Sequence, residues 1–350
     1  MGALHNRINR LVLKDRLMAD PTPRTTLSFY QYYHLKNPVL FRNHLYLLLS
    51  ELGVLGRIYV SYEGVNAQIS VPDEKMHLFE EALSTITFLS GIRLNYAIED
   101  DGKSFIKLII KVRDKIVADG LDDASFDVTN KGVHLKAEDF NALADDPQTI
   151  IVDMRNHYES EVGYFKNAIR PDVETFREAL PIVENILQEH KDKNIIMYCT
   201  GGIRCEKASA YYKHRGFRNV FQVEGGIIEY ARRAKELGIE NKFLGKNFVF
   251  DDRLGEKIGN EVISKCHQCG KPCDTHVNCA NDACHILFIQ CPECAEKMEH
   301  TCSVKCKDFN SLPDPEKRER RKTEIFNGTR FGKGRYKAHH KNEKLEATDV

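Results

Sequence analysis

The chain has 350 residues, 42% hydrophobic and 29% charged, which excludes a wholly disordered protein and leaves room for two or three domains of about 100–150 residues. Its 51 Lys and Arg balance 51 Asp and Glu, so the molecule is no generic polyanion binder and local charge matters more than net charge. No stretch approaches the roughly 18 uncharged apolar residues of a membrane span, and the opening M-G-A-L-H-N-R-I-N-R lacks the apolar core of a signal peptide; the expectation is a cytoplasmic chain that does not engage a membrane.

From Thr25, T-T-L-S-F-Y-Q-Y-Y is β-branched and aromatic, Pro38 to Leu52 carries helical apolar spacing, and R-I-Y-V-S-Y-E-G-V-N-A-Q-I-S-V reads as two strands about a glycine turn. A second helix follows Pro72 through M-H-L-F-E-E-A-L, and I-R-L-N-Y-A-I-E-D-D-G-K-S-F-I-K-L-I-I-K-V-R predicts two more strands. The order β-α-β-β-α-β is the split motif of a ferredoxin-like (acylphosphatase-like) α+β domain, placed at 1–120, with an extra hairpin arm at its end. Lys103, Lys107, Lys111, Arg113 and Lys115 fall at odd positions through one predicted strand, and period two puts them on one face. That row is a candidate RNA platform or else a charged solvent face.

Residues 121–136 are polar and turn-rich and suit a linker. Over 137–245, the apolar strands T-I-I-V-D-M-R, N-I-I-M-Y-C and V-F-Q-V-E-G-G alternate with amphipathic helices, which predicts a parallel α/β sheet with ligands at the strands' carboxyl ends. A Cys-rich module follows at 246–312, too poor in apolar side chains to cohere without metal. The end, 313–350, carries ten Lys or Arg and three Glu between Glu316 and Lys341 and is expected to lack a fold of its own. Its Phe326, Phe331 and Tyr336 stand where bases could stack, although a solvated tail explains the same composition.

Cysteine usage separates two chemistries. Of eleven cysteines, nine lie between Cys266 and Cys306, while Cys199 and Cys205 flank two glycines in C-T-G-G-I-R-C. A strand, a glycine-rich loop and a helix start turn backbone N–H groups toward Cys199, and Arg204 adds a guanidinium to the same cradle. Cys199 is therefore expected as a thiolate at neutral pH. Thr200, Gly201, Gly202 and Ile203 form the loop, and Asp153 and Arg155 are expected to pair as its buttress. Cys205 either resolves an oxidised Cys199 or is a packing residue. Glu206 and Lys207, in the first helical turn, read as solvated.

The dense cluster falls into pairs: Cys266 and Cys269, Cys279 and Cys284, Cys291 and Cys294, Cys302 and Cys306. Each short spacing makes a thiolate knuckle suited to tetrahedral Zn2+, and four knuckles make two structural sites. Spacing leaves the partnering open: first with third and second with fourth interleaves the sites, whereas sequential pairing gives two ribbons. Cys273, His276 and His285 remain alternative ligands. Iron–sulfur ligation is the competing reading, but the spacings match no ferredoxin pattern.

These motifs carry a resemblance. C-x-x-G-x-R at Cys199, I-V-D-M-R, E-V-G-Y-F-K-N-A-I and V-E-G-G-I-I-E-Y resemble a rhodanese domain, with Tyr164 where rhodaneses often have His. The domain order, with E-G-V-N-A-Q-I-S-V, K-V-R-D-K-I-V-A-D-G, M-Y-C-T-G-G-I-R-C-E-K-A and C-H-Q-C-G-K-P-C, resembles the bacterial rhodanese-like tRNA uridine hydroxylases over about 1–310. The resemblance implies conversion of the wobble uridine of tRNA to 5-hydroxyuridine with O2 as co-substrate and Cys199 as the active residue. Composition and spacing do not reveal hydroxylation, and no flavin or haem motif or His-and-carboxylate iron motif is present. Two other functions compete: a sulfurtransferase carrying a persulfide on Cys199, and a noncatalytic RNA-binding adaptor with an inert loop.

Overall fold

In T-T-L-S-F-Y, Leu27 and Phe29 alternate with Thr26, Ser28 and Tyr30, so a strand built from it has one apolar and one polar face. The computed structural model, which describes residues 4, 8–122, 125–328 and 336, uses both faces. After α1 (Arg10–Ala19), β1 (Arg24–Tyr32) pairs antiparallel with β3 (Gly64–Pro72) along its whole length, and β2 (Leu55–Ser61) continues the sheet. Helices α2 (Pro38–Glu51) and α3 (Met76–Ser84) cover the apolar face, packing Leu45, Leu49, Phe79 and Leu83 on Leu27, Phe29, Ile58 and Ile69. Asn37 starts α2 by accepting the Leu40 N–H at 3.0 Å, with Pro38 at the first helical position.

Two short strands complete this sheet in the order β4-β1-β3-β2-β5, with β4 at Asn95–Tyr96 and β5 at Leu108–Val112. The split motif is as expected, but β4 and β5 form no hairpin arm. β4 runs antiparallel to β1, whereas β5 runs parallel to β2 at the opposite edge. There Leu108 and Ile110 join the core beside α2, burying apolar surface that a protruding arm would leave in water.

The expected row of cations breaks up. Lys103 donates to the carbonyls of Leu17 and Asp20, both at 2.7 Å, closing the C-terminal end of α1. Lys115 pairs with Asp119 at 2.7 Å, and Arg113 lies over the Tyr59 ring. Of the five, only Lys111 lies within β5.

The second unit has a parallel sheet ordered β6-β10-β9-β7, from β6 (Val133–Leu135), β7 (Thr149–Asp153), β9 (Asn194–Tyr198) and β10 (Asn219–Val223). Helices α6 (Phe176–Leu187) and α7 (Ile203–His214) cover one face, and α4 (Ala137–Ala144) and α8 (Gly226–Leu237) the other. The short helix α5 (His157–Ser160) follows β7, and β8 (Gly163–Phe165), β11 (Phe243–Asn247) and β12 (Glu256–Lys257) form a small antiparallel sheet alongside. Residues 121–136 are no free linker. Leu121 packs on this core, Phe126 is buried against Tyr211, the Gly132 N–H donates to Ser209 Oγ at 2.9 Å, and 133–135 is the edge strand itself.

The cysteine-rich part is built on the hairpin β13 (His276–Asn278) and β14 (Leu287–Ile289), followed by α9 (Pro292–Lys297), α10 (Val304–Asn310) and α11 (Asp314–Arg320). The stretch from 313, expected without a fold, thus begins with a helix, and it returns to the module: Phe326 packs on Phe309, and Tyr336 stacks on Phe288 with ring centroids 5.6 Å apart. Residues 329–335, Phe331 among them, and 337–350 lie outside the described residues. Among the described residues no helix is long and apolar enough to cross a membrane.

Candidate functional site

Cys199 follows β9 at the carboxyl edge of the parallel sheet, where the chain must turn within four residues into α7. Gly202 makes that turn in the left-handed region, at φ 95°, and its N–H donates to Cys199 Sγ at 3.2 Å. Gly226 lets α8 approach: a Cβ there would lie 2.5 Å from the Cys199 carbonyl oxygen and 2.6 Å from that of Thr200.

Cys199 is 1% exposed, and burial alone would push its pKa up. A hydrogen bond from the Cys205 thiol, the Arg204 guanidinium and the N–H groups of Arg204 and Cys205 outweigh burial and bring Cys199 down to about 6. Cys205 is driven the other way: burial and its bond to Cys199 hold its thiol protonated. Arg204 is itself fixed by the buried Glu159, with two parallel N–H···O bonds of 2.7 Å.

Asp153 and Arg155 form a wholly buried ion pair at 2.6 Å, with Arg155 also donating to the Gly163 carbonyl and lying near the Tyr198 ring. Asp153 ends β7 opposite Tyr198 of β9, the residue before Cys199, and neither Asp153 nor Arg155 lines the cavity. Glu206 and Lys207 are buried, not solvated, because the N-terminal sheet docks on this end of α7. Glu206 pairs with Lys131 at 2.7 Å and His134 at 2.9 Å and accepts from the Tyr30 hydroxyl at 3.2 Å. Lys207, 2% exposed, pairs with Glu63 and Asp119.

That docking creates a cavity of about 360 Å3. One wall is the polar face of the N-terminal sheet, including Ser28, Tyr30, Tyr59, Asn66, Gln68 and Asn95. The opposite wall is the loop, with Cys199, Thr200, Gly201, Ile203 and Arg204, and a third side comes from Phe250, Arg253 and Glu256. A nucleophilic sulfur lining a cavity of this kind, mostly apolar with polar groups on one wall, can attack an electrophilic carbon of a small planar group held against the sheet.

Sequence reasoning missed the sheet wall and Glu159. The alternation in T-T-L-S-F-Y was a signal for the wall, since it leaves Thr26, Ser28 and Tyr30 on the face turned from the core. Lys103 and Lys115 are used within the fold and do not line the cavity.

The eight paired cysteines form two groups. Cys266, Cys269, Cys291 and Cys294 converge, as do Cys279, Cys284, Cys302 and Cys306, with ligand atoms within 4.8 Å of one another in each group. This is the interleaved arrangement. The donor chemistry fits a thiophilic metal: each group offers four sulfurs, and backbone N–H groups point at them, from Cys291 to Cys266 at 3.4 Å and from Cys302 to Cys279 at 3.3 Å. Cys273, His276 and His285 belong to neither group.

Residues 24–116 match the UPF0176 acylphosphatase like domain, 136–233 the Rhodanese-like domain, and 244–307 the family described as Rhodanase C-terminal. A Photorhabdus laumondii protein named tRNA uridine(34) hydroxylase is 55% identical over 338 residues, covering 96% of each chain. One of the same name from Yersinia pestis is 58% identical over 322 residues, covering 92% of this chain and 91% of its own.

Proposed function

The chain belongs to the tRNA uridine(34) hydroxylase family, and on that premise we propose that it converts the wobble uridine of tRNA to 5-hydroxyuridine with molecular oxygen as co-substrate, Cys199 being the reacting group. The observation that supports this most is a buried sulfur with a pKa of about 6 in a cavity whose far wall is a polar sheet face. Anticodon-loop bases are unpaired and can be splayed into such a pocket at small cost. Addition of Sγ to C6 of the uracil makes C5 the electron-rich carbon that bonds O2; loss of the C5 proton then expels Sγ and restores the C5–C6 double bond, and a two-electron donor outside the chain reduces the C5 hydroperoxide to 5-hydroxyuridine and water. Arg204, the loop N–H groups and the Cys205 thiol keep the sulfur anionic and aimed. The two four-cysteine groups hold structural Zn2+, because four protein thiolates leave no open coordination position for chemistry.

Hydroxylation of the purified protein's tRNA substrate, read by mass spectrometry of nucleosides, tests the role of Cys199. Cys199→Ser is expected to reduce oxygen gain by uridine to background. Near-normal hydroxylation by that variant would remove the sulfur from the reaction. Fast turnover of thiosulfate without RNA would instead assign persulfide transfer, the chemistry that the rhodanese-like match favours.

A further inference from the structure

We infer that Gln68 selects uracil in the cavity, its Oε1 accepting the hydrogen bond of the base's N3–H; the inference rests on the reading of the cavity as the uridine site. The argument is one of fixed amide orientation. Ile116, on the segment closing one side of the cavity, is held by its N–H bond to Glu63 Oε1 at 2.6 Å. Its carbonyl can only accept, so Asn66 must offer Nδ2 to it, at 3.3 Å. Asn66 Oδ1 is thereby turned to Gln68, whose Nε2 donates to it at 2.6 Å. The relay leaves Gln68 Oε1 as an acceptor, and among the described residues no group donates to it.

Uracil presents a donor at N3 between two carbonyl acceptors. Gln68 Oε1 takes N3–H, and the second hydrogen of Nε2 is free for a flanking carbonyl. Cytosine presents a lone pair at N3, which would face the lone pairs of Oε1. Were the amide free to rotate, it would read either base; anchoring to a main-chain carbonyl through Asn66 removes that freedom. The neighbouring strand adds the rest of a nucleotide site. Tyr59 lies opposite Asn66 in register and supplies an aromatic ring, and the exposed Arg57 lies opposite Gln68, where it can meet a phosphate.

The test uses the full-length, metal-loaded protein and anticodon stem-loop RNAs that differ only at the wobble base, carrying uridine, cytidine or N3-methyluridine. Dissociation constants are read by fluorescence anisotropy. The wild-type protein is expected to bind the uridine stem-loop roughly tenfold more tightly than either of the others. Gln68→Met should flatten that preference, and Asn66→Leu, which unpins the amide, should improve cytidine binding. Neutral-pH alkylation of Cys199 in each variant reports whether the site is intact, and the wild-type comparison needs no variant. Equal binding of the three RNAs by the wild-type protein, or full preference retained in an intact Gln68→Met, overturns the inference. Hydroxylation by Cys199→Ser with the base preference unchanged would sink the nucleophile and leave Gln68 standing.

Discussion

Cys205 keeps its proton, and by donating it in a hydrogen bond it holds Cys199 ionised. The sign of the pH dependence follows: a lowered thiol pKa means thiolate above it and loss of reactivity below. Alkylation of Cys199 by a small reagent, followed by peptide-resolved mass spectrometry, should therefore rise with a midpoint at about pH 6. Cys205→Ala removes a donor to the anion, so the midpoint should move up by about one pH unit, equivalent to ~1.4 kcal/mol. At this scale the sequence was informative where chemistry is local. Two glycines and a helix start around one cysteine imply a cradle for an anion wherever they occur. It was silent on Glu159 as the partner of Arg204, since the two lie 45 residues apart and are joined only by the fold. It also misjudged Lys207, because position in a helical turn says nothing of what docks there.

Among the elements, strand alternation was legible and edge choice was not. Leu27, Phe29, Ile58 and Ile69 announce a sheet with one buried face, and the split motif follows from their order. The apolar run at Leu108–Ile110 can satisfy either edge of that sheet, and only the uncovered flank of α2 decides for β2. The Lys row failed for a related reason: period two holds only inside a strand, and β5 is five residues long. The approach of α8 to the Cys199 loop yields a prediction for an element. Gly226→Ala adds a Cβ against two carbonyl oxygens at φ 69° and should cost at least about 1–3 kcal/mol in urea unfolding. Gly238→Ala, at φ 64° with open space around it, is the control for backbone strain alone and should cost less.

For the whole molecule, one of the two four-cysteine groups is joined to the cavity by packing. Cys266 and Cys291 share a core with Val162 and Phe248, and Phe250, two residues on, lies beneath the Arg204 guanidinium at 5.9 Å. Stripping the metal with a chelator should release two equivalents per chain by elemental analysis and open 264–328 to protease. It should also lower hydroxylation, although no cysteine of either group lines the cavity. Metal release with full activity retained would disconnect the two. The domain order was readable from composition, but the interleaving was not: a short spacing makes a knuckle and does not choose its partner across 22 residues, as Cys269 and Cys291 do.

The cavity takes its walls from stretches far apart in the chain, between Thr26 and Glu256, and Phe250, Arg253 and Glu256 are among the last of its lining to be synthesised. A nascent polypeptide therefore carries its sulfur unroofed until translation has passed those residues. A chain that stops short of Phe250 should therefore lack one wall of the cavity and leave Cys199 open to stray oxidants, which the full-length fold shuts out.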